Sequence, residues 1–217
     1  MAQSLVRAAC LTHYAEVAQA SGLNPLRMLL DVQLSPHVLD EPDLMIPVDK
    51  VARLLQESAS RSGNECFGLC MASSRLLSNL GPVGLLIRDQ QTLRDSLNLL
   101  VRYLATLNSA LSLVIEEAGD TVVLRERLLS GRAGEPTRQR VELAMGVMVR
   151  VIRQLIGRDW QPQRVYFEHA APKDERMHTK MLGPRIAFNQ EFNGIVCTKA
   201  DLDTSNEFAD PAMIRYA

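Results

Sequence analysis

An excess of charge of either sign is missing from this sequence. Its 217 residues carry 24 lysines and arginines against 25 aspartates and glutamates, for a formal net charge of −1. Domains that bind nucleic acid usually concentrate positive charge on one surface. The balance therefore argues against a DNA- or RNA-binding domain in this chain. With 47% apolar and 23% charged residues, the composition is that of an ordinary folded domain.

Long hydrophobic runs and cysteine are also scarce. No apolar run approaches the roughly 18 residues that a membrane span requires. The N-terminal residues contain no apolar stretch followed by a cleavage site of small residues, so we expect neither a signal peptide nor a membrane contact. Four cysteines occur, at positions 10, 66, 70 and 197. Without a secretion signal, they are expected to be reduced thiols in the cytoplasm.

The sequence motifs of common enzymes are absent. The chain has no G-x-S-x-G, no phosphate-binding P-loop, no G-x-G-x-x-G after a strand and no H-E-x-x-H. Cys66 and Cys70 could share a helix face, but a zinc site needs two further ligands that the neighbourhood does not supply. We interpret both as small buried apolar residues. The sequence thus predicts no enzyme, no metal and no cofactor.

The first half of the chain shows helical spacing of apolar residues. Pro47 precedes one such run, which Gly63 ends. Thr92 is a suitable N-cap for a second run with leucine at 93, 97, 100, 104 and 107. We therefore predict a helical subdomain over residues 1–108.

The second half changes to the two-residue period of strands. A turn at 118–120 separates two alternating segments and predicts a β-hairpin, and an apolar helix over about 136–156 follows. Short strands are predicted around 165–169, 185–188 and 194–198. Helices followed by strands indicate an α+β fold, with an antiparallel sheet packed against the long helix in a second subdomain at 109–217. The wide apolar arc of that helix indicates contact with two layers, or with one layer and a partner subunit.

Three polar residues are candidates for binding an effector. His169 lies on the apolar face of its strand, either bonded to a neighbouring carbonyl or lining a pocket. Glu126 shares the parity of Val122 and Leu124 and so falls on the core face, where it either reaches solvent at the end of the sheet through strand twist or is a polar anchor in a pocket. Tyr103 flanks the leucine stripe, either as a packing residue or as a pocket group. No catalytic residue is predicted.

Charged side chains on the long helix admit a simpler interpretation. Arg138 and Glu142 are four residues apart, a spacing typical of an ion pair on a helix surface. The other arginines of this helix, including Arg140, are expected on its solvated face.

The order and spacing of several segments resemble the N-terminal effector domain of AraC-type transcriptional regulators, in the arabinose-binding-like branch that includes ornithine-utilisation regulators. The most specific segment is Val-Tyr-Phe-Glu-His-Ala-Ala-Pro at 165–172. The others lie at 46–48, 63–69, 80–84, 92–93, 102–104, 182–183, 188, 192–193 and 209–211.

This resemblance implies a cytoplasmic one-component regulator. Its N-terminal domain would bind a small metabolite or form a homodimer, and a C-terminal helix-turn-helix domain, absent from this chain, would contact DNA. The family supplies no ligand contacts that transfer to this sequence. A ligand-independent dimerisation module and a small-molecule enzyme remain the alternatives. The sequence is also faintly similar to haem-based nitric oxide sensors, but it lacks the tyrosine motif and the helical histidine of those domains.

Overall fold

The computed structural model of the chain describes residues 3–129, 137–206 and 209. Within them, the helices of the first half precede the strands of the main sheet, as expected of an α+β protein. The helices are α1 Tyr14–Ala20, α2 Pro25–Asp31, α3 Val48–Ser62, α4 Phe67–Ala72, α5 Pro82–Arg88, α6 Leu93–Leu107, α7 Arg138–Ile156, α8 Arg176–Leu182 and α9 Lys199–Leu202. The strands are β1 Leu5–Arg7, β2 Met45–Pro47, β3 Leu111–Ala118, β4 Thr121–Leu128, β5 Arg164–Tyr166, β6 Ile186–Ala187 and β7 Asn193–Thr198.

The predicted α+β class is confirmed, and the main sheet has the order β3-β4-β7-β5-β6. Its hairpin pairs Leu111 with Leu128 and Ala118 with Thr121, and Gly119 adopts the left-handed conformation in the turn. The β5–β6 pair is parallel, whereas the other pairs of this sheet are antiparallel. A small second sheet joins β1 to β2 and was not anticipated.

The predicted helix boundaries follow from local chemistry. Gly63 ends α3 with φ 70°, a left-handed conformation that glycine adopts without steric cost. The Thr92 hydroxyl accepts a hydrogen bond from the Asp95 N–H at 3.1 Å and begins α6. The predicted start of the long helix near Pro136 lies outside the described residues. No helix of the described ranges is both long and apolar enough to cross a membrane.

Helix α7 lies at the centre of the molecule and contacts α3, α4, α6, α8 and β7. Its wide apolar arc is therefore covered by layers of the same chain. One continuous core of buried side chains includes residues from both halves of the sequence, such as Tyr14 and Leu97 from the first and Val149 and Ile195 from the second.

Two glycines allow α4 and α7 to pack closely. A Cβ at Gly68 would overlap the Gln139 carbonyl, and a Cβ at Gly146 would lie 2.5 Å from the Cβ of Ala72. The Gln139 side chain also accepts the Gly68 N–H at 2.8 Å and donates to the Glu65 carbonyl at 2.9 Å. Gln139 thus binds the first turn of α4, where backbone N–H groups lack helical partners.

Gly68→Ala should destabilise the fold, because its added methyl group must displace the backbone of α7. We expect a loss of at least about 2 kcal/mol in the free energy of unfolding, measured by urea denaturation. Ala105→Ser is the control, since it adds one heavy atom at an exposed helical position and should change stability by less than about 0.5 kcal/mol. Equal stability of the two variants would contradict the close α4–α7 contact.

Candidate functional site

An apolar cavity of about 170 Å³ lies between the helices and the β-hairpin. Helices α3, α6 and α7 supply most of its wall, and β3 and β4 contribute one leucine each. The wall includes Val51, Leu55, Leu100, Leu104, Leu111, Leu128, Leu143 and Val147. Ligand sites are typically cavities of this kind, apolar with a few polar groups that orient the ligand.

Arg75, in the segment after α4, is the most deeply placed cation of this wall. It is 3% exposed. Its Nη1 donates to the Ala9 carbonyl at 2.5 Å, and its Nη2 donates to the Cys10 carbonyl. Its Nε is buried and has no hydrogen-bond partner among the residues that the structure describes. Burial lowers the pKa of Arg75, but a guanidinium remains protonated in a protein.

Arg7 and Cys10 also line the cavity, and neither supplies a negative charge to Arg75. Arg7 forms an ion pair with Asp43 and donates to the Asn79 carbonyl at 3.4 Å. Burial raises the pKa of the Cys10 thiol to about 12, against the opposing effect of the Arg75 charge. The thiol is therefore neutral at physiological pH.

Glu126 lies on the buried face of β4, as its parity with Val122 and Leu124 predicts, and is 7% exposed. Burial raises the pKa of its carboxyl to about 8, although the nearby positive charge of Arg140 acts in the opposite direction. Arg140 lines the cavity and is itself buried. The prediction that Arg140 lies on a solvated helix face is wrong, because the sheet and the other elements of the cavity wall cover that side of α7.

Tyr103 and His169, like Glu126, are not among the residues that line the cavity. Tyr103 is partly buried on α6, with the guanidinium of Arg102 5.4 Å from its ring centre. His169 follows β5, and its Nδ1 lies 2.9 Å from the Ala170 carbonyl oxygen. Its ring packs 4.7 Å from that of Phe167. The structure therefore does not bring the three predicted residues together at one site.

A second polar cluster surrounds Glu142, which is completely buried. Its Oε1 accepts a hydrogen bond from Arg138 Nε at 2.9 Å and lies 3.1 Å from His178 Nε2 and 3.5 Å from His169 Nε2. The predicted Arg138–Glu142 pair is thus present, but its placement on the helix surface is wrong. Packing of α8 against α7 encloses the carboxylate and ties both helices together.

This cluster also contains a chain of contacts from a thiol to an imidazole to a carboxylate, formed by Cys66, His178 and Glu142. The Cys66 sulfur lies 3.6 Å from His178 Nδ1, an order that nucleophilic enzymes use. Burial, however, raises the pKa of the Cys66 thiol to about 12, which disfavours its thiolate form. Burial also lowers the pKa of His169, which favours its neutral imidazole. The chemistry of this cluster is that of a buried hydrogen-bond network.

No sequence signal identifies Arg75 or Arg140 as a cavity residue. Both come from an arginine-rich chain in which most arginines are solvated, and local spacing does not distinguish a buried one. Arg75 is recognisable only once Ala9 and Cys10, 65 or more residues earlier, present their carbonyl groups to it.

The Glu126 carboxyl predicts a pH dependence of stability. Between its ordinary pKa of 4.5 and about 8, the folded chain keeps a proton that the unfolded chain releases. Stability should therefore fall as pH rises through this range, by on the order of 1 kcal/mol per pH unit. Glu126→Gln cannot ionise and should remove this part of the slope.

Urea denaturation of both proteins at pH 5, 6, 7 and 8 measures that slope. Glu191→Gln, at an exposed position, is the control and should keep the slope of the unchanged protein. A Glu126→Gln variant with an unchanged slope would contradict the buried, protonated carboxyl.

Comparisons with known proteins agree with the architecture. The family described as the arabinose-binding domain of AraC transcription regulators, N-terminal, matches residues 22–206. The HTH-type transcriptional regulator VirS of Mycobacterium tuberculosis, from strains CDC 1551 / Oshkosh and H37Rv, is 27% identical over 215 residues. That alignment covers 99% of this chain and 63% of each relative. The chain thus spans less than two thirds of the relatives' length.

A solved structure has a similar fold. The transcriptional regulator CdpR from Pseudomonas aeruginosa superposes with a TM-score of 0.66 at 14% sequence identity, over 93% of this chain and 60% of that chain. The resemblance predicted from the ordered sequence segments is confirmed by the family match. The chain belongs to the family of N-terminal arabinose-binding domains of AraC transcription regulators.

Proposed function

We propose that this chain is the effector-sensing domain of a bacterial transcription regulator and binds a small metabolite in the cavity between α3, α6, α7 and the hairpin. The observation that carries the proposal is the cavity itself, whose apolar walls enclose the buried guanidinium of Arg75. Such a combination of apolar wall and few polar groups suits binding and orientation of a small molecule. No chemical transformation of the ligand is part of the proposal.

The cavity's position suggests how a ligand would act on the rest of the molecule. Its wall joins three helices to the hairpin, so an occupant would contact elements from both halves of the chain. Binding stabilises whichever arrangement of these elements fits the ligand best. In a regulator of the kind that the relatives' names describe, this preference would be passed in the cytoplasm to a helix-turn-helix domain that contacts DNA.

Glu126 has only an indirect part in this proposal. The positive charge of Arg140 acts on its carboxyl, and Arg140 lines the cavity. Effector contacts at Tyr103 and His169 stay predictions. They are not part of the proposed site, because neither residue lines the cavity. The helical and sheet-containing subdomains remain a proposed division of one effector-binding domain.

Self-association is the second proposed role. Leu26 and Leu30 lie four residues apart on α2 and are 51% and 60% exposed, so they form a small apolar surface. A homodimer would place two DNA-binding domains at the spacing of two half-sites. Sedimentation of the chain and of its Leu26→Glu/Leu30→Glu variant tests this role. A concentration-dependent dimer lost in the variant supports the surface, and a monomer at all concentrations contradicts dimerisation.

A metabolite that occupies the cavity should raise the melting temperature of the chain. At a hundredfold excess over Kd, the stabilisation is about 2.7 kcal/mol. Ala144→Trp would fill the cavity from α7 and should abolish the shift while leaving the chain folded. Ala105→Trp adds the same ring at an exposed position of α6 and should keep the shift. A broad metabolite screen without any shift, or a shift retained in Ala144→Trp, would contradict this site.

A further inference from the structure

Three arginines line the cavity, and their surroundings differ. Arg7 is paired with Asp43. Arg140 acts electrostatically on the buried Glu126 carboxyl, whose pKa burial raises to about 8 against this effect. Within residues 3–129, 137–206 and 209, no carboxylate lies within ion-pair distance of Arg75, which contacts neutral carbonyl groups only.

The uncompensated charge of Arg75 is costly in this position. A buried cation among apolar side chains loses its hydration, and carbonyl dipoles replace only part of what water or a carboxylate would provide. Its Nε–H has no acceptor although the atom is buried. Buried polar groups in proteins nearly always have a hydrogen-bond partner. An occupant of the cavity could supply both the missing acceptor and the missing negative charge.

The remaining wall specifies the rest of the occupant. Besides Arg7, Asn79, Asn108 and Arg140, that wall is apolar, and its leucines and valines from α3, α6 and α7 offer contacts only to a hydrocarbon body. The unsatisfied Nε–H of Arg75 suits a carboxylate oxygen as its acceptor. The volume of about 170 Å³ is close to that of an engineered apolar cavity of about 150 Å³ that binds benzene in another protein.

We propose that the effector is an amphipathic monocarboxylate, with its carboxylate on the Arg75 guanidinium and an apolar body of about six to ten carbons along the α3–α6–α7 wall. This inference rests on the proposed function and adds the chemical class of its ligand. A neutral ligand of the same shape can accept a hydrogen bond from the Nε–H but leaves the positive charge of Arg75 without an opposite charge.

Octanoate and octanamide test the charge requirement, because they share a chain and differ in the ionised group. Calorimetric titration of the unaltered protein at pH 7 should give octanoate binding about tenfold to a hundredfold tighter than octanamide, as a hydrogen bond to a charged group provides. Equal affinities would overturn the assigned class, since the cavity would then recognise the hydrocarbon alone.

Arg75→Met tests the position of the charge and should reduce the difference between octanoate and octanamide to less than about threefold. Arg153→Met is the matched control. Arg153 is partly buried and, like Arg75, donates to backbone carbonyl groups, those of Trp160 and Met181. It does not line the cavity. It should keep the full preference for octanoate, and a loss of preference in both variants would contradict a specific role for Arg75.

Arg75→Met could fail to fold, because Arg75 holds the carbonyls of Ala9 and Cys10. The comparison of the two ligands on the unaltered protein still decides the proposal in that case. The failures of the two proposals are also distinguishable. If neither probe binds but a neutral metabolite does, and Ala144→Trp blocks it, the ligand class is wrong and the sensing site stands. If no compound binds at the cavity, the sensing function itself is contradicted.

Discussion

The packing of α7 between α4 and the cavity is the constraint on which the rest of the structure depends. Gly68 and Gly146 let the two helices approach closely, and Gln139 binds the first turn of α4 across the same contact. With α7 held there, its opposite side forms the cavity wall together with α3, α6 and the hairpin. One helix therefore positions both the hydrogen-bond network around Glu142 and the proposed effector site.

The charges that this packing buries are handled in two ways. Around Glu142, the chain supplies its own partner, since Arg138 donates directly to the carboxylate and two imidazoles lie beside it. At the cavity, Arg75 retains a positive charge with carbonyl contacts only. A buried ion that is paired with an opposite charge serves structure, whereas one that contacts only neutral groups beside a cavity is a candidate for ligand recognition. We therefore propose that the first cluster stabilises the fold and that the second binds the effector.

Periodicity and end signals predicted the elements that are long or capped. Local chemistry accounts for the α6 stripe, for the boundaries at Gly63 and Thr92 and for the 111–128 hairpin. The alternation of residues in β4 also predicted that Glu126 lies on the core face. The two-stranded sheet of β1 and β2 could not be foreseen, because three-residue strands carry too little pattern. Burial of Arg75, Arg140 and Glu142 depends on elements distant in sequence. The exposed-surface interpretation failed at Arg140 and Glu142 because α7 is covered on two sides.

A crystal structure of the protein with octanoate tests the central claim most directly. The account predicts density for the carboxylate within about 3.2 Å of Arg75 Nε, with the hydrocarbon chain between α3, α6 and α7. Density at another surface, or a carboxylate pointing away from Arg75 while the chain occupies the cavity, would contradict it.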